Sequence, residues 1–279
     1  MLDLRSASTV LNTHARRFYD RELPPELQSA AFTAFDRKRY AKPELTWALS
    51  AWRHRTLDEY RSLIGLSQYL DELGALRLAL DAVSTAVRVV RDEARHVELC
   101  RRMVRALGGT DRIPGQPTYV RSAVRKPLLE RVLSTTLGSL CIGETLSVAL
   151  LAATRDVTTD PLARAVLTTL TADEAVHSQL GWTLLPLLWP QTPRALRQKL
   201  VATVEPSLSY AEQVALEAGD DPAGRNPFGD LLPSERRAVF HHAAQRDVRE
   251  RLQQLTSGSR RSTRGRSTSA RSTRAAAGS

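Results

Sequence analysis

Asp92-Glu93-Ala94-Arg95-His96 and Asp173-Glu174-Ala175-Val176-His177 are one D-E-A-x-H string written twice, 81 residues apart. Each copy lies in a long stretch rich in Leu, Ala, Arg and Val, residues that suit helices better than strands. On a helix, residues i and i+3 share a face. Glu93 and His96 can therefore reach one metal ion together, and so can Glu174 and His177.

Working outward, each copy has a carboxylate upstream on an otherwise apolar stripe. Glu144 shares its face with Leu137, Leu140, Cys141, Val148 and Leu151, and Glu59 shares its face with Trp52, Thr56, Leu63 and Leu66. A carboxylate on such a face is costly to bury unless a cation neutralises it. Glu72 is the rival to Glu59, but it sits almost at the helix end. At about 1.5 Å of rise per residue, Glu59 and Glu93 lie at similar heights of an antiparallel hairpin, as do Glu144 and Glu174. All six groups can meet at one level of a core. Four carboxylates balance two divalent ions, with two neutral imidazoles completing the set. Oxygen-rich sites with one His per ion suit iron or manganese better than zinc. The simpler alternative is a purely structural polar core.

The punctuation of the chain defines the surrounding elements. Residues 1–42 read as a leader with short helical pieces, broken at Pro24-Pro25. A first long helix opens near Pro43 and stops at Gly74; a second runs from Ala75 to Leu107, ended by Gly108-Gly109. Residues 108–126 are a connection. A third helix runs from Pro127 to about Val157, and a fourth, capped at Asp160-Pro161, to about Leu185. Pro186, Pro190 and Pro193 interrupt the pattern. A fifth helix follows to about Ala218 and a sixth from about Pro233 to Leu255. No strand is expected. The predicted class is all-α: two helical hairpins joined by a long crossover, with extra C-terminal helices. The domains are a leader (1–42), a four-helix bundle (43–188), additional helices packed on it (189–255) and a disordered basic tail (256–279).

The net charge of +10 over 279 residues looks like a nucleic-acid signal until it is located. Residues 256–279 hold six arginines and no acid, leaving +4 on the rest. This Ser/Thr/Arg-rich tail has too little apolar surface to offset its ordering entropy. A solvated extension is the plain reading; contact with nucleic acid through 256–279 is the alternative, and it would depend on salt. Cys100 and Cys141 lie inside predicted helices and form no CxxC pair, which excludes a rubredoxin-type iron site or a zinc knuckle. The N-terminus lacks an apolar signal core and no apolar run reaches membrane-spanning length, so a cytoplasmic protein without membrane contact is expected. His14, His54 and the His241-His242 pair read as surface residues.

Glu, E-x-x-H, Glu, E-x-x-H in this helical order resembles the ferritin-like di-iron carboxylate superfamily over residues 45–185. The strings at 92–96 and 143–145 look closest to bacterial ferritin-like proteins and to the oxygenase and desaturase branch. The resemblance implies a ferritin-like bundle with Glu59, Glu93, His96, Glu144, Glu174 and His177 as ligands of two iron ions, or of manganese or a mixed pair. It also implies that Asp173 orients His96 and that Asp92 orients His177, since a ligating His usually gives its other N–H to a carboxylate. Arg95 balances these acids; its counterpart, Val176, departs from the commoner Arg. An O2-activating oxidoreductase is expected, such as a hydroxylase, desaturase or N-oxygenase, with a small-molecule substrate, an electron donor and a homodimer as its partners. A ferroxidase or iron-handling protein is the first alternative, and a metal-stabilised interaction module with a basic tail the second. A ribonucleotide reductase small subunit would carry a Tyr one turn past the second-helix His, where this chain has Cys100.

Overall fold

The computed structural model describes residues 1–115, 125–216 and 226–257. It is mostly helical. The leader holds α1 (Thr9–Glu22) and the short α2 (Ser29–Thr33). The long helices are α3 (Lys42–Ala75), α4 (Leu80–Ala106) and α7 (Pro161–Leu188). The third expected helix is continuous but irregular: α5 (Leu128–Thr135) passes through a π-helical segment (Thr136–Gly143) into α6 (Glu144–Val157). Three further helices follow, α8 (Arg194–Ala202), α9 (Val204–Leu216) and α10 (Pro233–Ala243), the last extended by a π-helical turn (Ala244–Arg249) and helical backbone to 257. α3 packs on α4, α6 on α7 and α4 on α7.

Several boundaries differ from the sequence reading. α3 runs through Gly74 to Ala75, and α4 opens at Leu80. The reversal is made at Arg77, which takes φ 57°. Arg77 N–H bonds Gly74 O and Leu78 N–H approaches Leu73 O at 3.5 Å, a Schellman closure without glycine. Leu73 and Leu78 pack in the same core, which holds the turn where propensity alone would not. At the end of α4 the expected glycine is used: Gly108 has φ 97°, and Gly109 N–H bonds Val104 O. Pro186 lies inside α7, three residues before its C-cap, so it costs one late helical bond while buried Leu185, Leu188 and Trp189 keep the last turn packed. The expected fifth helix is two, α8 and α9. Leu2–Asp3 pairs antiparallel with Arg112–Ile113, a strand contact that two residues per side cannot announce by pattern. Residues 116–124 of the connection and 258–279 of the tail lie outside the described residues.

One expectation is corrected outright. The continuous helix Leu128–Val157 is 30 residues long with mean hydropathy 1.6 in its most apolar window, enough by length and composition to cross a membrane. Half of that window is buried inside the protein, and buried Glu144 lies near the middle of the helix; core helices pass the same test.

The apolar core falls into two clusters. One gathers Leu66, Tyr69, Leu73, Val89 and the lower half of α7 with Leu200, Leu208, Phe240 and Val248 of the C-terminal helices. The other gathers Trp52, Leu99, Met103, Leu167 and Leu170 with Leu2, Leu23, Leu27 and Phe32 of the leader. Leader and C-terminal helices thus close opposite ends, and the buried acids and histidines occupy the layer between.

The π-helical segment before α6 packs tightly on α7 at Gly181. A Cβ there would stand 2.6 Å from Leu140 Cβ and 2.9 Å from Leu140 C. Backbone cannot retreat as a flexible side-chain tip can, so Gly181→Ala is expected to lose about 1–3 kcal/mol by overpacking. Urea unfolding measures it; a neutral substitution would mean that the two helices are free to separate there.

Candidate metal centre

α3 contributes Glu59, α4 Glu93 and His96, α6 Glu144, and α7 Glu174 and His177. All six side chains are buried. Glu59, Glu93, His96 and Glu174 present ligand atoms all within 4.8 Å of one another, and so do Glu93, Glu144, Glu174 and His177. The groups overlap in Glu93 and Glu174, while Glu59 with His96 and Glu144 with His177 each belong to one. The imidazole rings lie 5.6 Å apart, centroid to centroid. Glu72 is placed elsewhere, buried in hydrogen bonds from Gln68 and Arg131.

Both imidazoles turn Nδ1 inward. His96 Nδ1 stands 3.3 Å from Glu59 Oε2 and 3.4 Å from Glu174 Oε1, and His177 Nδ1 stands 2.9 Å from Glu174 Oε2 and 3.1 Å from Glu93 Oε1. Nε2 points outward, to an aspartate on the other D-E-A-x-H helix: His96 Nε2 to Asp173 Oδ2 at 3.1 Å, His177 Nε2 to Asp92 Oδ2 at 3.7 Å. One nitrogen of Arg95 reaches both acids, 2.9 Å from Asp92 Oδ1 and 2.6 Å from Asp173 Oδ2. Burial alone would raise both aspartates, but the neighbouring His and Arg95 outweigh it and hold them below the usual carboxylate range.

The inner carboxylates are under strain of charge. Burial, with Glu174 nearby, pushes Glu93 up to about 7 and Glu144 well above its usual value. Burial would lower the imidazoles, yet the surrounding carboxylates prevail: His177 is pushed up to about 12 and His96 well above normal. The same imidazoles hold Glu174 below the usual range against the effect of burial. Protons thus supply the positive charge this layer needs. Hydrogen bonding is nevertheless incomplete: both oxygens of Glu93, Nδ1 of His96 and Nε2 of His177 are buried without a partner. Buried polar atoms are normally paired, and exceptions call for a cause such as an ion. The orphaned inward atoms are those of Glu93 and Nδ1 of His96, whereas Nε2 of His177 faces Asp92 at 3.7 Å; with one imidazole per group and two carboxylates common to both groups, they fit two cations side by side.

Sequence reading did not find the local devices that aim these groups. Glu144 N–H bonds Ser139 O, five residues back, so the π-helical segment ends at this acid. Such insertions recur at functional sites because one extra residue re-aims the following turn. Gly138 and Gly143 lie within it but are no signature. Glu22 at the end of α1 approaches Arg91 at 3.5 Å and Arg95 at 3.8 Å, so the leader touches the charge network from outside. Nothing local to Glu22 announces this. His14, His54, His241 and His242 are exposed, and His241 faces Glu212.

Comparison of the chain with protein families, with curated proteins and with solved structures gives no match.

Proposed function

We propose that this chain is a ferritin-like di-metal carboxylate protein whose bundle spans residues 43–188, and that it is an O2-activating oxidoreductase with iron as its metal. The supporting observation is the overlap of two four-ligand groups through Glu93 and Glu174, with partnerless buried atoms facing inward. Glu59 and His96 would hold one ion, Glu144 and His177 the other, and Glu93 and Glu174 would serve both. The oxygen-rich donor set favours iron or manganese over zinc. A bound iron pair supplies redox chemistry toward O2.

The chain's own part is positioning and exclusion. Asp173 accepts from His96 Nε2–H, which leaves Nδ1 free to face inward; Asp92 is placed to do the same for His177. The apolar clusters on either side exclude water from the layer. The extra helices and the leader give an enzyme more surface for a small substrate than a storage shell needs. Metal analysis of protein purified from its own host tests the assignment, followed by O2 consumption after reduction of the loaded protein. Zinc alone, or iron that never reacts with O2, would sink it; a cage of many subunits on gel filtration would move the reading to iron handling.

Loading should release protons. Metal ligands bind deprotonated, whereas Glu93, Glu144 and both imidazoles hold protons more tightly than usual. Affinity is expected to rise with pH, more steeply below the Glu93 value of about 7 than above it, where that proton has already left. The stability of the metal-free protein should run the other way. Between the ordinary Glu value of 4.5 and about 7 the folded chain keeps a proton on Glu93 that the unfolded chain has lost. From 6.5 upward the same holds for His177. Each such proton removes about 1.4 kcal/mol of stability per pH unit. Metal-free protein should therefore melt lower at pH 8 than at pH 5.5. Thermal unfolding at the two pH values, with and without metal, checks this; a higher melting temperature at pH 8 without metal would contradict it.

A further inference from the structure

α1 rests on the body by one side only. Among its described side chains, Asn12, Tyr19 and Asp20 are the partly buried ones, and they lie on a common side of the helix. Tyr19 packs against the leader-side core, and Asp20 accepts from Arg102 at 2.9 Å and from Ser29 Oγ at 3.0 Å. The opposite side, about 120° of arc, carries Val10, Leu11, His14, Arg17, Phe18 and Arg21, all exposed. Leu11 is 60% exposed and Phe18 42%. Arg17 and Arg21 make no ion pair among the described residues. The two acids of the helix are both engaged with the body, Asp20 with Arg102 and Glu22 with Arg91 and Arg95. The outward side is therefore apolar and cationic, with no free acid.

We propose that α1 docks this chain on an anionic phospholipid surface, with Arg17 and Arg21 at the headgroup phosphates and Val10, Leu11 and Phe18 at the acyl boundary. Cationic and apolar side chains interleaved on one exposed helix side match a surface that offers negative charge and hydrocarbon at nearly the same depth. A nucleic acid would meet the arginines but leave Leu11 and Phe18 in water. The expectation of no membrane contact rested on the lack of a spanning segment, which a helix lying in the interface does not need. Asp20 and Glu22 keep the body side of α1 tied down, so the docking side stays turned outward. One short helix of this kind gives reversible attachment. The inference does not depend on the metal reading.

The test is co-sedimentation of the full chain with vesicles of phosphatidylcholine, with and without phosphatidylglycerol. The wild-type chain should bind the anionic vesicles, less so as salt rises, and leave the neutral ones unbound. Leu11→Ser combined with Phe18→Ser should weaken binding about tenfold or more by removing the apolar contact. Arg17→Glu combined with Arg21→Glu should weaken it as much by reversing the charge. All four positions are exposed, so both variants should melt close to the wild-type temperature. A wild-type chain that stays in the supernatant with anionic vesicles, or that binds neutral ones equally, overturns the proposal. Binding that survives the Leu11 and Phe18 changes is adsorption by charge alone, the behaviour expected toward a nucleic acid or an acidic protein, and overturns it too. Binding that survives the Arg17 and Arg21 changes places the contact on another basic segment, such as 256–279, with the same consequence.

Discussion

Glu174→Ala is expected to empty the centre, whereas Glu144→Ala should leave it half full. The difference follows from membership. Glu174 belongs to both four-residue groups, its two oxygens facing His96 Nδ1 and His177 Nδ1. Removing it leaves each group three ligands and removes the carboxylate between the two imidazoles. Glu144 belongs to one group only, so Glu59, Glu93, His96 and Glu174 remain complete without it. Metal per chain, measured by mass spectrometry, should drop from about two to near zero in the first variant and to about one in the second, the count expected for a site built from two E-x-x-H halves. Helical content by circular dichroism should persist in both, because two apolar clusters remain. Equal loss in the two variants would mean that the overlap through Glu174 has no bearing on binding.

Arg95→Met should be among the most damaging single changes in the metal-free protein. The Arg95 side chain is 12% exposed, that of Asp92 fully buried and that of Asp173 10% exposed. Taking one partner out of a buried charge network leaves uncompensated charge, at a cost of about 3–5 kcal/mol. Arg88, 3.3 Å from Asp92, still offers some compensation there, which places the expectation toward the lower bound. Among the described residues, Asp173 keeps only His96. Adding Asp92→Asn and Asp173→Asn to the variant removes the stranded charges and should recover much of the loss. Urea unfolding of the three proteins decides the matter; a loss below about 1 kcal/mol for Arg95→Met would reduce the guanidinium to a surface charge.

The long helices were legible because their signals are local and redundant. Gly108-Gly109 ends α4 by a backbone need that only glycine meets cheaply, and Asp160-Pro161 opens α7, with Asp160 accepting from Ala163 N–H at 2.7 Å. Four of the six inner residues could be listed because i, i+3 spacing is written into the D-E-A-x-H strings, and Glu59 and Glu144 because each interrupts an apolar stripe. What remained hidden depends on tertiary contact. Arg77 adopts a left-handed backbone because the packing of Leu73 and Leu78 demands a turn there. The π-helical segment before Glu144 has no compositional mark. The preference for Glu59 over Glu72 rested on height along α3, and the structure adds the reason for Glu72: Arg131, from α5, already holds it.

The polar layer that divides the apolar core also sets how the fold comes apart. With protons in place of metal, the leader half and the C-terminal half are joined by groups that strain against their surroundings, a weak seam between two well-packed blocks. Such blocks open as separate cooperative units when little binds them. In the metal-free chain, amide exchange around Leu99 and Leu167 should follow one opening energy, and exchange around Leu133 and Leu185 another. Ions shared by Glu93 and Glu174 would fasten α4 and α7 across the seam, and the two exchange regimes should merge into one. Occupancy of a site a few ångströms wide would then be readable from the opposite ends of the molecule.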